Sequence, residues 1–376
     1  MSNNNLIFII LVIFLINLGT AAMLRMYTLK KHNRGLSVEK SLYRFHKLKY
    51  GHYIFTVISS AIISFIAIKV GEISIYFLAT IPFVYVVVVL ITTQAFYHKV
   101  YQAIRKTETS LMEDILFFMK MLIVMMIPSI LIIVLRTYYI TNMESNEFVL
   151  YTLLVLVIVL LLITYPYLMH FSLRAKQIES EEKKKAIVAF INKQNIRNVK
   201  VYQFSSKRSK FANAMIIGVF TKRIFISDYL LENLSTEETC SILAHELGHL
   251  KKKHLLIKAI LLFFAIPLFT GIGYILDEME ALFGFKIPIP VGVIGMLGSL
   301  IAYLGFIFLK LSKIQEYQAD KYALDIGVDK DVYLAALIKV TELNDSVKSV
   351  NNLDELLGTH PSLENRINRI EEAKEL

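Results

Sequence analysis

Long apolar runs alternate with short charged blocks along most of the chain. Runs at 6–23, 53–68, 73–95, 115–135, 148–168, 255–276 and 291–311 carry few or no charges. About 18 apolar residues are enough to cross a hydrocarbon core of about 30 Å. In lipid every backbone amide must find its partner inside the segment, so uninterrupted runs of this kind predict helices. The run at 53–68 is the shortest. Lys120 lies near one end of its run, within snorkelling reach of the interface. Pro82, Pro128 and Pro267 fall inside runs, which membrane helices tolerate when neighbours re-satisfy the freed backbone.

The polar stretch between the fifth and sixth runs follows other periods. In 181–193, Ile187, Phe190 and Ile191 recur at helical spacing among charges and predict an amphipathic helix. "VKVYQF" alternates and is β-branched, which predicts a strand. "NAMIIGVFTKRIFISD" predicts two strands around a turn near Thr221. "LSTEETCSILAHELGHL" predicts a helix opened by a capping box of Ser235 and Glu238. The last 62 or so residues read as helical, broken at "GTHPS". The expected fold is mainly α and integral to the membrane, with about seven transmembrane helices and a cytoplasmic domain holding a small β-sheet. The expected divisions are 1–170 with five spans, 171–254 with the strands and the histidine helix, 255–312 with two spans, and 313–376 as a helical tail.

Charge sets the orientation. The segment after the first run holds Arg25, Lys30, Lys31, Arg34, Lys40, Arg44, Lys47 and Lys49 against the single acid Glu39. The second connection, "KVGEIS", is nearly uncharged, the third carries Lys99, Arg105 and Lys106, and the fourth, "RTYYITNMESNEF", has one arginine and two glutamates. Positive connections stay in the cytoplasm. The alternation therefore predicts an outside N-terminus, a cytoplasmic C-terminus and a multi-pass protein. The start "MSNNN" lacks the basic region of a cleavable signal, so the first run is expected to stay as an anchor. A net charge of +10 suits this topology and contact with anionic lipid. It is not matched by any recognisable nucleic-acid module, and no nucleic-acid partner is expected. The single cysteine, Cys240, excludes an internal disulfide. Richness in Ile, Lys and Asn fits an AT-rich genome, which points to a bacterial cell membrane.

One short stretch carries chemistry. In "SILAHELGHLKKK", His245 and His249 are four apart and share one helix face. Two imidazoles one turn apart can both reach a single Zn²⁺ at about 2.0–2.1 Å. Glu246 lies where it could act as base on a water held by that metal. A catalytic site needs a third protein ligand. His254 follows nine residues after His245 among lysines, and on a continuing helix it falls on another part of the face, as an interfacial residue. Glu316 in "KIQEYQADKYALD" fits better, because two predicted crossings return the chain to the same membrane face. Asp320, one turn on, is placed to accept the other N–H of a ligating histidine. Lys251–Lys253 mark the membrane edge.

"HELGH", then "EYQAD" after two runs, then "THPSLENRI" resemble the type I CAAX prenyl endopeptidase and HtpX class of membrane zinc metallopeptidases, the gluzincin type. The stretch "NAMIIG…RIFISDYLLENLSTEE" is also similar, and five runs ahead of the motif favour the CAAX prenyl endopeptidase branch. The strong resemblance covers roughly 213–370; residues 1–170 match mainly in topology. It implies one Zn²⁺ per chain with His245, His249 and Glu316 as metal ligands and Glu246 as catalytic base. It implies further that His360 of "THPS" donates to the tetrahedral oxyanion, that Asn213 lies near the substrate cleft, and that the strand after Asn213 offers an edge for an extended substrate. Arg366 is expected to anchor the C-terminal helix.

The function expected is zinc-dependent endopeptidase action on peptides or membrane-associated proteins at the cytoplasmic face, with membrane lipid as surroundings. Two alternatives stand beside it, one from another class and one within enzymes. A peptidase-fold signal transducer would need an outer sensor domain, and the outward connections are short. A site-2-type intramembrane protease would place the histidine motif inside a span and use a late aspartate, which Lys251–Lys253 and Glu316 fit poorly.

Overall fold

The computed structural model describes residues 3–70, 75–142, 147–196 and 198–372. Five long helices open the chain: α1 (Asn3–Asn33), α2 (Val38–Val70), α3 (Ile75–Arg105), α4 (Leu111–Asn142) and α5 (Glu147–Ser172). Among the described residues, four helices are long and apolar enough to cross a membrane: Asn5–Asn33, Val38–Ala67, Phe83–Arg105 and Thr152–Ser172. The other apolar runs are helical too. The run at 115–135 lies in α4, 255–276 in α9 (His254–Phe283), and 291–311 in α10 (Ile289–Gly305) with the π-helical turn Phe306–Leu311 that follows it. Within the second and fourth connections, both expected to face outward, 71–74 and 143–146 lie outside the described residues.

One expectation is corrected. The basic stretch 25–49 is not a loop but two helix ends joined by a turn at 34–37. With 31 and 33 residues, α1 and α2 are about 46–50 Å long at 1.5 Å per residue. A hydrocarbon core of about 30 Å covers only part of that, so the charged ends continue as helix beyond the apolar stretch.

The remaining elements build a second body. α6 (Glu181–Lys193) is capped by Ser180, whose side chain accepts from Lys183 N–H. Then come β1 (Val199–Phe204), β2 (Ala214–Ile217) and β3 (Lys222–Ser227), followed by α7 (Asp228–Asn233) and α8 (Thr236–Lys251). After α10 the chain runs into α11 (Ser312–Asp325), then α12 (Lys330–Leu343), α13 (Asn352–Leu357) and α14 (Leu363–Glu372). The sheet order is β1-β3-β2, with β1 parallel and β2 antiparallel to β3, so β2 is an edge strand. Gly218 has φ +108° in the β2–β3 turn, and a Cβ there would lie 2.0 Å from the Thr221 carbonyl oxygen. Only glycine fits such a turn.

The two polar blocks flanking α9 and α10 share one core. Ile187 of α6, Ile224 and Ile226 of β3, Leu243 and Leu247 of α8, Ala323 of α11 and Tyr333 of α12 are buried together. Each large aliphatic side chain buried there contributes about 1.5–3 kcal/mol. The helices that open the chain are tied to this body by charge. Asp354 of α13 accepts from Tyr43 and pairs with Lys47 of α2 at 2.6 Å. Arg105 at the end of α3 pairs with Asp345 at 3.0 Å and donates to the Leu343 carbonyl at 2.9 Å.

Candidate metal centre

α8 is fixed at its start by the predicted capping box. Ser235 Oγ accepts from Glu238 N–H at 3.0 Å, and the Glu238 carboxylate accepts from Ser235 N–H at 2.7 Å. Such a cap is worth about 0.5–2 kcal/mol. Farther along, α8 meets α11 at Gly248. A Cβ on Gly248 would lie 2.9 Å from Ala319 Cα and 3.2 Å from Tyr322 Cβ. The glycine of "HELGH" therefore lets the two backbones touch. That contact brings Glu316 and Asp320 of α11 against the histidines of α8.

His245 Nε2 and His249 Nε2 lie 3.1 Å apart. Glu316 Oε2 is 3.4 Å from His245 Nε2, and its Oε1 is 3.4 Å from His249 Nε2. Donors held at about 2.0–2.1 Å around a tetrahedral ion lie about 3.3–3.4 Å apart, so this triangle has the size of one face of a zinc tetrahedron. Two further bonds show which ring nitrogens are free. His245 Nδ1 donates to Asp320 Oδ1 at 2.8 Å, and His249 Nδ1 lies 2.9 Å from His254 Nδ1. With both Nδ1 atoms engaged, two Nε2 lone pairs and a carboxylate converge on one point. Such a set of acceptors is stable only around a cation.

The electrostatics agree. Burial and the Arg366 guanidinium oppose a charged His245, yet the Asp320 and Glu316 carboxylates outweigh them and draw the ring up to about 9. A positive charge is favoured there, and a metal held by these donors would supply it in place of the proton. Burial, with the charge of His245, pushes His249 down to about 3, the neutral form a metal binds. Burial also opposes the Glu316 charge, but His245, His249 and His360 prevail and hold it down to about 2. Glu246 is half-buried, and burial pushes its carboxyl up to about 7. Its Oε2 accepts from Ile216 N–H of β2 at 3.2 Å, so the edge strand and the glutamate share one place.

Behind His245 lies a buried support. Asp320 accepts from Arg366 at Oδ2 (2.9 Å) and Oδ1 (2.6 Å), and from Tyr333 Oη at 2.6 Å. Burial works against the Asp320 charge, but Arg366 and His245 keep its carboxyl well below the usual range. Arg366 thereby ties α14 to α11. Tyr333 also lies 3.0 Å from His245 Nδ1.

His360 is brought to the rim. Its side chain is 68% exposed, with Nε2 3.5 Å from Glu316 Oε1 and Nδ1 3.0 Å from Thr359 Oγ1. Asn213 stands just before β2, and its backbone bonds Ser227 in both directions, at 2.8 and 3.0 Å. That puts it at the head of the strand that meets Glu246. His254 corrects the sequence reading. It is only 3% exposed and touches His249, not the interface. The spacing argument assumed one continuous helix, but α8 ends at Lys251 and Lys253 turns left-handed, which folds His254 back. Tyr333 and Gln318 were missed outright. A tyrosine on the apolar face of α12 carries no sequence signal separating it from an ordinary core residue.

Residues 172–374 match peptidase family M48, a stretch that includes His245, His249, Glu316, Asp320, His360 and Arg366. The chain belongs to peptidase family M48. A second match, to BlaR1 peptidase M56, covers 54–269 and stops before Glu316. This M48 chain is 29% identical over 227 residues to CAAX prenyl protease 1 of Saccharomyces cerevisiae, covering 53% of the chain and 49% of that protein. It is 32% identical over 186 residues to the probable CAAX prenyl protease 1 of Schizosaccharomyces pombe, covering 44% of the chain and 37% of that protein. The chain spans about half the length, or less, of these curated relatives. Its fold is that of the crystal structure of Saccharomyces mikatae Ste24p, with a TM-score of 0.65 at 20% identity, over 96% of this chain and 98% of that one. Membership of M48 implies a metal, and among the described residues His245, His249 and Glu316 could hold it. The four long apolar helices are those of a membrane protein.

Proposed function

We propose that this chain is a membrane-embedded, zinc-dependent endopeptidase. The observation that carries the reading is the triangle of His245 Nε2, His249 Nε2 and the Glu316 carboxylate, with Glu246 beside it. A divalent ion held by those three donors would act as a Lewis acid on a substrate carbonyl and make a water acidic enough to attack it. Glu246 takes the proton from the attacking water and passes it to the departing amine. A carboxyl raised toward neutral pH by burial suits that exchange. His360 stands at the exposed side of the triangle and donates to the developing oxyanion. An extended substrate segment adds to the free edge of β2, in the register that Asn213 begins.

The seven apolar helices are read as seven crossings, α4, α9 and α10 included. Positive charge at the end of α1, the start of α2 and the end of α3 supports a cytoplasmic side for those ends, the metal centre and the C-terminus. The substrates proposed are peptides and membrane-associated proteins, in keeping with the relatives named CAAX prenyl protease 1. A bacterial cell membrane remains the location we favour.

The test is elemental analysis of the purified, detergent-solubilised chain beside a peptidase assay. About one Zn²⁺ per chain is expected, with activity lost to a chelator and regained with zinc. Stoichiometric metal retained by the double variant His245→Ala, His249→Ala would overturn the assignment. A reporter after Leu376 should be cytoplasmic and one within 136–148 external; the opposite result would remove the cytoplasmic site.

A further inference from the structure

His249 is held by a second imidazole rather than by a carboxylate. His254 Nδ1 lies 2.9 Å from His249 Nδ1, and His254 Nε2 lies 2.9 Å from Gln318 Oε1 of α11. An amide oxygen only accepts, so the hydrogen of His254 sits on Nε2. Its Nδ1 is then a bare acceptor, and the hydrogen between the two rings belongs to His249 Nδ1. That leaves His249 Nε2 with a free lone pair on the side where His245 Nε2 and Glu316 stand. The chain Gln318–His254–His249 therefore fixes one tautomer and one ring orientation.

The backbone is shaped for this contact. Lys253, between α8 and α9, has φ 56° and ψ 33°, the left-handed region a lysine seldom occupies. That single residue breaks the helix and folds His254 back until its ring meets His249 edge-on, at 5.0 Å between centroids and 76° between planes. Non-glycine residues keep this conformation only where the surrounding structure holds them there. His254 is buried, and its carbonyl receives Gln315 Nε2 at 3.5 Å.

We infer that His254 is a positioning residue for the metal: it selects the His249 tautomer that can bind, with Gln318 setting its own. The inference rests on the metal-binding reading above. It also separates the two histidines by mechanism. His245 is oriented by a charged carboxylate, His249 by a neutral acceptor, so the site keeps its charge low on the His249 side.

Competition with a chromophoric chelator on the full-length chain in detergent gives zinc affinity, and Co²⁺ substitution gives a visible spectrum that reports ligand geometry. His254→Leu removes the acceptor and should weaken metal binding about 10–100-fold, as outer partners of metal-bound histidines do. His254→Asn places an amide oxygen near the position of Nδ1 and should restore most of the affinity and the Co²⁺ spectrum. Gln318→Leu frees the His254 tautomer and should cost a few-fold. If His254→Leu binds zinc as wild type does with an unchanged spectrum, the inference is wrong. It is equally wrong if Asn and Leu lose affinity alike, because the ring's bulk and not its acceptor would then matter. A wild-type chain that binds no metal would instead sink the functional reading itself.

Discussion

Among the described residues, two buried polar networks are opposite in kind. Between α1, α2 and α3, the two Asn17 Nδ2 hydrogens are shared among Tyr85 Oη (2.7 Å), the Ile13 carbonyl (3.0 Å) and Ser59 Oγ (3.2 Å), while its Oδ1 accepts from Thr56 Oγ1 (3.0 Å). His52 Nε2 reaches the Asn17 carbonyl at 3.1 Å, and Tyr97 Oη reaches His52 Nδ1 at 2.6 Å. Amide, hydroxyl and imidazole donors are matched there with acceptors, and the network closes on itself. Between α8 and α11 the outer layer closes in the same way, through Asp320, Arg366, Tyr333 and His254. The inner layer does not, since two imidazole nitrogens and a carboxylate face one another at 3.1–3.4 Å. A buried histidine is common to both. What separates a structural network from a reactive centre is whether acceptors converge on one point without protein donors to match them.

The sharpest way to break this contrast is to remove the inner layer. Glu316→Ala should lose both metal and activity, since two histidines alone bind zinc weakly. Glu246→Gln should keep the metal and lose about 10²–10⁴ in turnover, because a neutral amide cannot take the water's proton. Metal content measured beside cleavage rate decides between the roles. Metal lost from Glu246→Gln and kept by Glu316→Ala would reverse them.

The outer layer comes next. Arg366→Ala would leave the Asp320 carboxylate buried without its guanidinium partner, and breaking a buried pair by removing one member costs about 3–5 kcal/mol. Thermal unfolding followed by circular dichroism should show that loss. Arg366→Lys should recover part of it, since the charge remains while the two-pronged contact with both Asp320 oxygens is gone. Unchanged stability in Arg366→Ala would mean that Asp320 is solvated, contrary to its burial.

Much of this was legible in sequence, and the limits have physical causes. The apolar runs, the strands of "VKVYQF" and of "NAMIIGVFTKRIFISD" around Thr221, and the Ser235–Glu238 cap depend on local chemistry, so they could be read locally. The histidine pair is legible because helical spacing fixes it, and Glu316 because the chain must return to the side of the membrane it left. Tyr333 could not be found that way. Its hydroxyl matters only because α12 packs on α8, which is a tertiary fact. His254 was misplaced because one left-handed residue, Lys253, redirects everything after it, and no lysine announces that in a sequence. The basic stretch 25–49 reads as a connection because its charges end the apolar run, yet the backbone stays helical through Asn33 and again from Val38.

Gly248 sharpens the comparison from the side of packing. A methyl group on it would lie 2.9 Å from Ala319 Cα, a backbone atom that cannot swing aside. Gly248→Ala should cost about 1–3 kcal/mol through overpacking, despite alanine being the better helix former. Because the strain falls between α8 and α11, metal affinity should drop with it. A stabilised, fully metal-loaded Gly248→Ala variant would show that the helices can part without disturbing the triangle.

The smallest effect is expected in the closed network, and it is the control for all the others. Asn17→Leu removes the residue at its centre. Most of its partners keep a bond of their own, because Thr56 Oγ1 also donates to the His52 carbonyl at 3.0 Å and Ser59 Oγ to the Phe55 carbonyl at 2.8 Å. Tyr85 Oη is left with less. Hydrogen bonds between membrane helices are worth about 0.6 kcal/mol on average and about 1.7 at most, since the unfolded helices also find partners in the membrane. A stability loss of that order is expected for Asn17→Leu, with zinc content and cleavage rate equal to wild type. The two readouts carry the argument together. A large loss of stability with full activity would make the network more important to folding than its bonds suggest, yet still structural. Loss of zinc or turnover in a folded variant would mean that the α1–α3 network acts on the metal centre through the Tyr43–Asp354 and Lys47–Asp354 contacts, and the division between a closed scaffold and an open site would fail.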